Sequence, residues 1–301
     1  MAARIQGLTP LQKDFETAFR SLCTTASGWQ VWNDFVDAAA ITISNAVDPL
    51  ESRREARESL FTAVMQRYGD GRTEAFSAML GAVAQSLEIN QRQDFLGDLF
   101  MRLDLGSSWH GQFFTPYHVC EMMARMSVPD DLDDKEYTTV LDPACGAGAT
   151  MIAARNVLHF DHHKGWEDVF FVGQDLSHTA GMMCYIQLSL LGCAGYVCVG
   201  DSLCNPVRSR TSLLLPDEAD GQDIWYTPMY WMDPLQYRIF GELIKGGRRK
   251  DHRRDPAAGQ AEERPDPEYS YSLFDLGKPG AAEEDPGRAG GPAASVHDQP
   301  G

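Results

Sequence analysis

Tyr137-Thr138-Thr139-Val140-Leu141-Asp142-Pro143-Ala144-Cys145-Gly146-Ala147-Gly148 is the stretch whose reading decides the fold. Its first five residues are β-branched and apolar, the composition of a short strand. Asp142 closes that strand, and two glycines then open a turn in which the backbone can approach a ligand closely. A helix of small residues, Thr150 to Leu158, follows, and its N-terminus favours a carboxylate or another negative group. A dinucleotide fingerprint needs a third glycine near position 151, where this chain has Met151, so the turn suits a nicotinamide dinucleotide poorly.

The same rhythm continues downstream. Val169-Phe170-Phe171-Val172-Gly173 ends in Gln174-Asp175, a helix is expected from Ser177 to Leu191, and Tyr196-Val197-Cys198-Val199 ends at Gly200-Asp201. Strand, helix, strand, helix, strand predicts an α/β fold with a Rossmann-like, parallel, doubly wound sheet. Ligands of such sheets sit beyond the carboxyl ends of the strands, where Asp142, Asp175 and Asp201 all fall. Asp223-Ile224-Trp225-Tyr226 reads as a fourth strand, with a short helix near Leu235 to Leu243.

Upstream, residues 8–104 repeat apolar positions at three- and four-residue spacing, as in Leu11, Phe15, Ala18, Phe19 and Leu22. Asp48-Pro49 and Tyr68-Gly69-Asp70-Gly71 break the run, which predicts a helical N-terminal domain of four to five helices over residues 1–104. The α/β domain is expected over 105–245. From Gly246 onward Gly, Pro, Ala and charge dominate, and a segment so poor in apolar surface cannot offset its ordering entropy, so 246–301 reads as a disordered tail.

Composition bounds the function. The chain has 301 residues, 43% of them hydrophobic and 23% charged, as in a soluble globular protein. It has no apolar run long enough to span a membrane and no apolar leader, which places it in the cytoplasm by expectation. Its seven cysteines form no Cys-x-x-Cys pair, and the spacing of Cys193, Cys198 and Cys204 suits no common zinc site, so no metal is expected. The net charge is −17, and residues 1–240 alone hold 17 Lys and Arg against 31 Asp and Glu. A protein that grips DNA usually shows a basic face, because phosphate neutralisation supplies most of the affinity. If this chain meets DNA, a local patch or a partner subunit must bring the positive charge.

Three motifs in order carry a family resemblance. Asp142 to Gly148 resembles the cofactor motif of adenine-N6 DNA methyltransferases, Asp-Pro-x-Cys/Phe-Gly-Ser/Thr/Ala-Gly. Gly111-Gln112-Phe113-Phe114-Thr115-Pro116 resembles the companion motif found in the modification subunits of type I restriction systems. Asp94-Phe95-Leu96-Gly97-Asp98-Leu99-Phe100 resembles the Asp-x-Leu-Gly helix that leads into it. The resemblance implies S-adenosylmethionine as cofactor. Phe114, Thr115 and Pro116 would then shape the pocket for its methionine end. Asp142 would accept from its amino group, within a turn of Pro143, Cys145, Gly146 and Gly148. Asp175 would take the ribose hydroxyls, since two acceptor oxygens suit two vicinal donors. Asp201 would accept from the N6 amine of the cofactor's adenine. A helix N-cap is the plain alternative for each acid.

The resemblance weakens at the catalytic motif, Asn/Asp/Ser-Pro-Pro-aromatic at the end of the fourth strand. An aromatic amine is a poor nucleophile because its lone pair is delocalised. Hydrogen bonds from N6 to a side-chain oxygen and a backbone carbonyl localise that pair, while an aromatic ring stacks on the flipped base. No Asn-Pro-Pro-aromatic occurs here. Asn205-Pro206-Val207-Arg208 comes only four residues after Asp201 and reads as a turn. Thr227-Pro228-Met229-Tyr230 is better placed in sequence, so Thr227, Pro228 and Tyr230 are the catalytic candidates. Trp225, Tyr226, Tyr230 and Trp231 read either as a base-stacking wall or as a buried aromatic strand.

The function implied is S-adenosylmethionine-dependent methylation of adenine N6 in DNA, through a partner specificity subunit because the sheet looks truncated. The alternative is a catalytically degenerate binding or scaffold protein that keeps the cofactor site. In the tail, Arg248, Arg249, Lys250, Arg253 and Arg254 form a basic cluster, and Tyr271, Leu273 and Phe274 resemble the end of peptides that dock on bacterial sliding clamps.

Overall fold

The computed structural model describes residues 7–69, 72–105, 113–129, 132, 138–208, 216, 222–232 and 271–272. Five helices come first: α1 Pro10–Leu22, α2 Gly28–Asn45, α3 Glu51–Tyr68, α4 Thr73–Ile89 and α5 Phe95–Arg102. Their ends follow the local chemistry. Thr9 caps α1 through a reciprocal box with Gln12, and Pro10 occupies the first turn, where its missing N–H costs nothing. Gly69 ends α3 at φ 73°, a left-handed conformation that glycine adopts without strain.

The α/β part follows as α6 Tyr117–Ser127, β1 Thr138–Asp142, α7 Ala149–Phe160, β2 Val169–Asp175, α8 His178–Leu190, β3 Ala194–Val199, β4 Asp223–Tyr226, α9 Pro228–Met232 and β5 Tyr271–Ser272. The sheet order is β4-β3-β2-β1-β5. β1, β2 and β3 are parallel, with Asp142 opposite Gly173 and Asp175 opposite Val199, as the sequence predicts. β5 adds two residues parallel to β1. β4 departs from the expected plan: it runs antiparallel to β3, pairing Tyr226 with Tyr196 and Asp223 with Val199. The chain therefore leaves β4 at the opposite edge of the sheet from Asp142, Asp175 and Asp201.

The boundary expected at 104/105 is not a break in the core. One apolar cluster runs from Leu8 through the helices to Val197 and Trp225. At its centre Phe15 meets Phe35 edge-on with centroids 5.0 Å apart, and Trp32 meets Phe100 at 5.6 Å. Polar contacts also cross between the two parts. Arg57 on α3 donates to Asp48 at 3.0 Å and to the Ile224 carbonyl at 3.3 Å, with its guanidinium 3.9 Å over the Trp225 ring. This buried arginine, paired by a carboxylate and a ring, fastens β4 to the helices. Alternation along the strands fills both faces of the sheet: Phe171 and Val197 join the main cluster, whereas Phe170, Val172, Tyr196 and Tyr226 join a second one with Tyr230.

The short helix expected near Leu235, the basic cluster and most of the expected tail lie outside the described residues. Among the described residues, no helix is long and apolar enough to cross a membrane.

Candidate functional site

β1 and β2 end side by side, and the turn after β1 folds over the end of β2. Cys145 N–H donates to the Gln174 carbonyl at 3.0 Å, and Gly146 N–H donates to Asp175 Oδ2 at 2.8 Å. Asp175 Oδ1 accepts from Ser177 N–H at 2.8 Å, and Ser177 itself caps α8. Asp175 is thus not the cap of that helix. Each of its oxygens is held by one backbone N–H, which leaves lone pairs on both for a ligand with two donors.

Asp142 is buried. Its Oδ1 accepts from Ala144 N–H at 3.0 Å and its Oδ2 from the Thr150 hydroxyl, so the acid also organises the turn that it precedes. Burial pushes its carboxyl above the usual range, and the charge of Asp175 adds to this. Gly146 and Gly148 have φ of 54° and 94°. Space as well as conformation excludes a side chain at both: a Cβ on Gly146 would stand 3.1 Å from the Phe114 ring, and one on Gly148 2.9 Å from Cys184 Sγ. The glycines therefore serve packing against Phe114 and α8, besides any close approach to a ligand.

The result is a cleft of about 300 Å³ lined by Phe113, Phe114, Thr115, Asp142, Cys145, Gly146 and Asp175. Six of the predicted cofactor residues thus line one cleft, with Phe113 beside them. Pro116 sits beside Phe114 and Thr115 on an adjoining cavity of about 520 Å³, and Pro143 is half-buried in the turn. Gly111 and Gln112 of the upstream motif lie outside the described residues. The Cys145 thiol hydrogen-bonds to that of Cys184, and this with burial pushes it well above the ordinary thiol range. It is a packing group rather than a nucleophile.

Asp201 follows β3 at the same edge, outside the cleft lining. Its Oδ1 accepts from Leu203 N–H at 2.8 Å and Cys204 N–H at 3.1 Å, which lowers its pKa. The Cys204 side chain also hydrogen-bonds to this carboxylate, so Asp201 shapes the loop that follows β3.

The catalytic assignment needs correction. Thr227 is fully buried, donates to the Cys193 carbonyl at 2.7 Å and accepts from Gly195 N–H at 3.1 Å. Cys193 and Gly195 stand at the start of β3, about 16 Å from its far end at the strand rise of roughly 3.3 Å per residue. Thr227 and Pro228 therefore lie at the edge away from the cleft, and Tyr230 packs into the second core between Phe170, Tyr196 and Tyr226. The antiparallel course of β4 is the reason. The aromatic wall is divided as well: Trp225 packs on Tyr185 at one face, while Tyr226, Tyr230 and Trp231 pack at the other. The buried-strand reading holds.

Sequence reasoning missed two residues. Gln187, fully buried on α8, donates to Asp94 Oδ1 at 2.7 Å and to the Ala147 carbonyl at 2.9 Å, and accepts from Leu96 N–H. It ties the start of α5 to the glycine turn. Gln174, buried at the end of β2, donates to the Asn205 carbonyl at 3.0 Å and accepts from Val207 N–H at 2.9 Å. Asn205 is thereby fixed at the cleft's edge of the sheet. The available signal was a lone glutamine in each of two otherwise apolar runs, Met182 to Leu188 and Val169 to Gly173 with its extension.

Among the described residues no group of three His, Cys, Asp or Glu is placed to hold a metal ion. Tyr271 of the clamp-like peptide lies in β5, paired with Val140, and Leu273 and Phe274 lie outside the described residues.

Comparison with known proteins gives the following. Residues 99–218 match the N-6 DNA Methylase family. The chain is 25% identical over 142 residues to the type I restriction enzyme MjaVII methylase subunit of Methanocaldococcus jannaschii, covering 46% of this chain and 23% of that protein. It is 28% identical over 131 residues to the type I restriction enzyme MpnII methylase subunit of Mycoplasma pneumoniae, covering 40% of this chain and 22% of that protein. The matches thus span less than a quarter of these relatives' length. A solved type I restriction-modification methyltransferase subunit from Streptococcus thermophilus aligns with 15% identity and a TM-score of 0.36, over 67% of this chain and 61% of that one.

Proposed function

We propose, from a chain whose residues 99–218 match the N-6 DNA Methylase family, that the cleft binds S-adenosylmethionine and serves methylation of adenine N6 in DNA. The observation that carries this reading is the anchoring of Asp175. Its carboxylate is aimed by Gly146 and Ser177 N–H groups beside a turn cleared of side chains by Gly146 and Gly148. These residues fit the cofactor. Asp175 offers two acceptors to the ribose hydroxyls, Asp142 offers an acceptor to the amino group, and Phe114 with Thr115 walls the methionine end. When bound, the cofactor supplies an activated methyl group. The chain's own contribution is to orient it and keep the cleft's acids in place.

DNA contact through a partner subunit is part of the proposal. The net charge of −17 leaves phosphate neutralisation to another chain, and the relatives matched are themselves named as subunits. The test is calorimetric binding of S-adenosylmethionine, followed by transfer of labelled methyl to DNA, RNA and total protein. Binding with label in DNA supports the reading, and label only in RNA or protein replaces the substrate. No cofactor binding removes the whole proposal.

One observation favours a second reading. Thr227, Pro228 and Tyr230 are structural elements of the far edge, so that segment gives the acceptor amine no polar contact. On this reading the chain holds cofactor as a binding or scaffold subunit. Cofactor binding without label in any acceptor distinguishes it.

A further inference from the structure

Three sulfur atoms meet at the floor of the cleft, and they have no part in the proposed function. Cys145 comes from the glycine turn, Met151 from the first turn of α7 and Cys184 from the middle of α8. All three side chains are buried. The Cys145 thiol hydrogen-bonds to that of Cys184, whose Sγ lies 3.8 Å from Met151 Sδ. Gly173 on β2 completes the triangle: a Cβ added there would stand 3.2 Å from Met151 Sδ and 3.3 Å from Cys145 Sγ. Because residue 173 has no side chain, a recess remains between these two sulfurs, with Val197 as its outer wall. Cys145 also lines the cleft, which gives the group a way in from solvent.

We infer that Cys145, Met151 and Cys184 form a binding site for one soft, monovalent cation of the copper(I) class. The donor set selects it, because thiolate and thioether ligands suit copper(I) whereas magnesium, calcium and manganese take oxygen. The third donor is a methionine, so the site needs no further cysteine, histidine or acid. A trigonal ion with metal–sulfur bonds of about 2.3 Å requires sulfurs about 4.0 Å apart. Cys184 and Met151 already stand at 3.8 Å. Charge points the same way. Asp142 and Asp175 act against ionisation of Cys145, so a single thiolate, at Cys184, matches a single positive charge. That thiol gives its proton to solvent as the cation enters, and the other two sulfurs bind as neutral donors. The net charge of the buried site is therefore unchanged. An ion held there joins α7, the glycine turn and α8 beneath the cleft.

The experiment titrates the whole chain, without oxygen, into the coloured complex of copper(I) with bathocuproine disulfonate and reads the loss of colour. The wild type should withdraw one equivalent of copper. Met151→Leu keeps the packing and all seven thiols. It should nevertheless hold copper at least about tenfold more weakly, since losing a ligand costs no less than losing a group that supports one. Cys184→Ala should lose the tight equivalent, and Cys204→Ser, at an exposed thiol, should keep it. X-ray absorption on the loaded wild type should show three sulfurs at about 2.3 Å. A wild type that withdraws no copper, or transfer that is unchanged in Met151→Leu, overturns the inference. Neither result bears on the cofactor reading, which the titration does not touch.

Discussion

Asp175 Oδ2 accepts the backbone N–H of Gly146 at 2.8 Å, so the acid that ends β2 is bonded to the turn that ends β1. The two expected halves of the cofactor site are therefore one unit, and disturbing the acid disturbs the turn. Asp175→Ala removes the acceptor for both Gly146 and Ser177 N–H, a loss of about 1–3 kcal/mol if both are left unsatisfied. Asp175→Asn keeps one acceptor oxygen and should cost less. Both should weaken S-adenosylmethionine binding by tenfold or more, on the order of 1.4 kcal/mol. Chemical denaturation and calorimetry on the two variants separate the structural loss from the loss of the ribose acceptor: equal affinities for wild type and Asp175→Asn would remove this acid from the binding site.

Gly97 shows why the upstream motif has its spacing. Asp94 caps α5 by accepting Gly97 N–H at 2.8 Å, and the carboxylate folds so closely over residue 97 that an added Cβ would collide with it. Gly97→Ala must push Asp94 away from both Gly97 and Gln187. The expected destabilisation is about 2 kcal/mol, in the upper range for losing a cap. Because Gln187 joins this cap to the Ala147 carbonyl, the variant should also bind cofactor more weakly. A midpoint in urea equal to that of the wild type would show that α5 tolerates the collision.

Burial raises the pKa of Asp142, and the sign of its effect on stability follows. A carboxyl whose folded pKa lies above its unfolded value keeps its proton better in the folded state. It therefore costs stability above the folded pKa, and that cost is relieved as pH falls toward the ordinary carboxylate value. Asp94 is raised by burial too and shifts in the same direction. Asp142→Asn removes the titration at one site. The stability of wild type relative to Asp142→Asn should rise as pH is lowered from about 7 toward the ordinary carboxylate range at ~4. Urea unfolding of both proteins at the two pH values measures it, and a difference that stays constant would show that Asp142 does not titrate abnormally.

The parallel core was legible because its signals are local. β-branched runs ending in Asp142, Asp175 and Asp201, separated by helices, leave little choice of topology, and Ser27, Thr9 and Gly69 mark helix ends by their own chemistry. The course of β4 was not legible. Asp223 to Tyr226 reads the same in either direction, and what turns it antiparallel is remote: Arg57 bound to the Ile224 carbonyl and the Thr227 hydroxyl bonded at Cys193 and Gly195. The continuity of the core escaped for a related reason. A composition shift near residue 105 marks a change of secondary structure, whereas α2 resting on α8 depends on which helix faces meet, as in the Thr179 hydroxyl bonded to Asn33.

Thr227 gives the sharpest test of that correction. If it stood in for the catalytic Asn or Asp, Thr227→Asn would restore or raise methyl transfer. In the structure its hydroxyl bridges Cys193 and Gly195 in a site closed to solvent, and the extra atoms of Asn have no room. Thr227→Asn should destabilise by about 1–3 kcal/mol through overpacking. Thr227→Val keeps the shape but strands the Gly195 N–H contact and the Cys193 carbonyl, for a loss of about 1–3 kcal/mol. Neither variant should change affinity for S-adenosylmethionine below its unfolding temperature, and neither should gain activity. Methyl transfer that appears in Thr227→Asn would return the residue to the acceptor site and require β4 to leave the edge of β3.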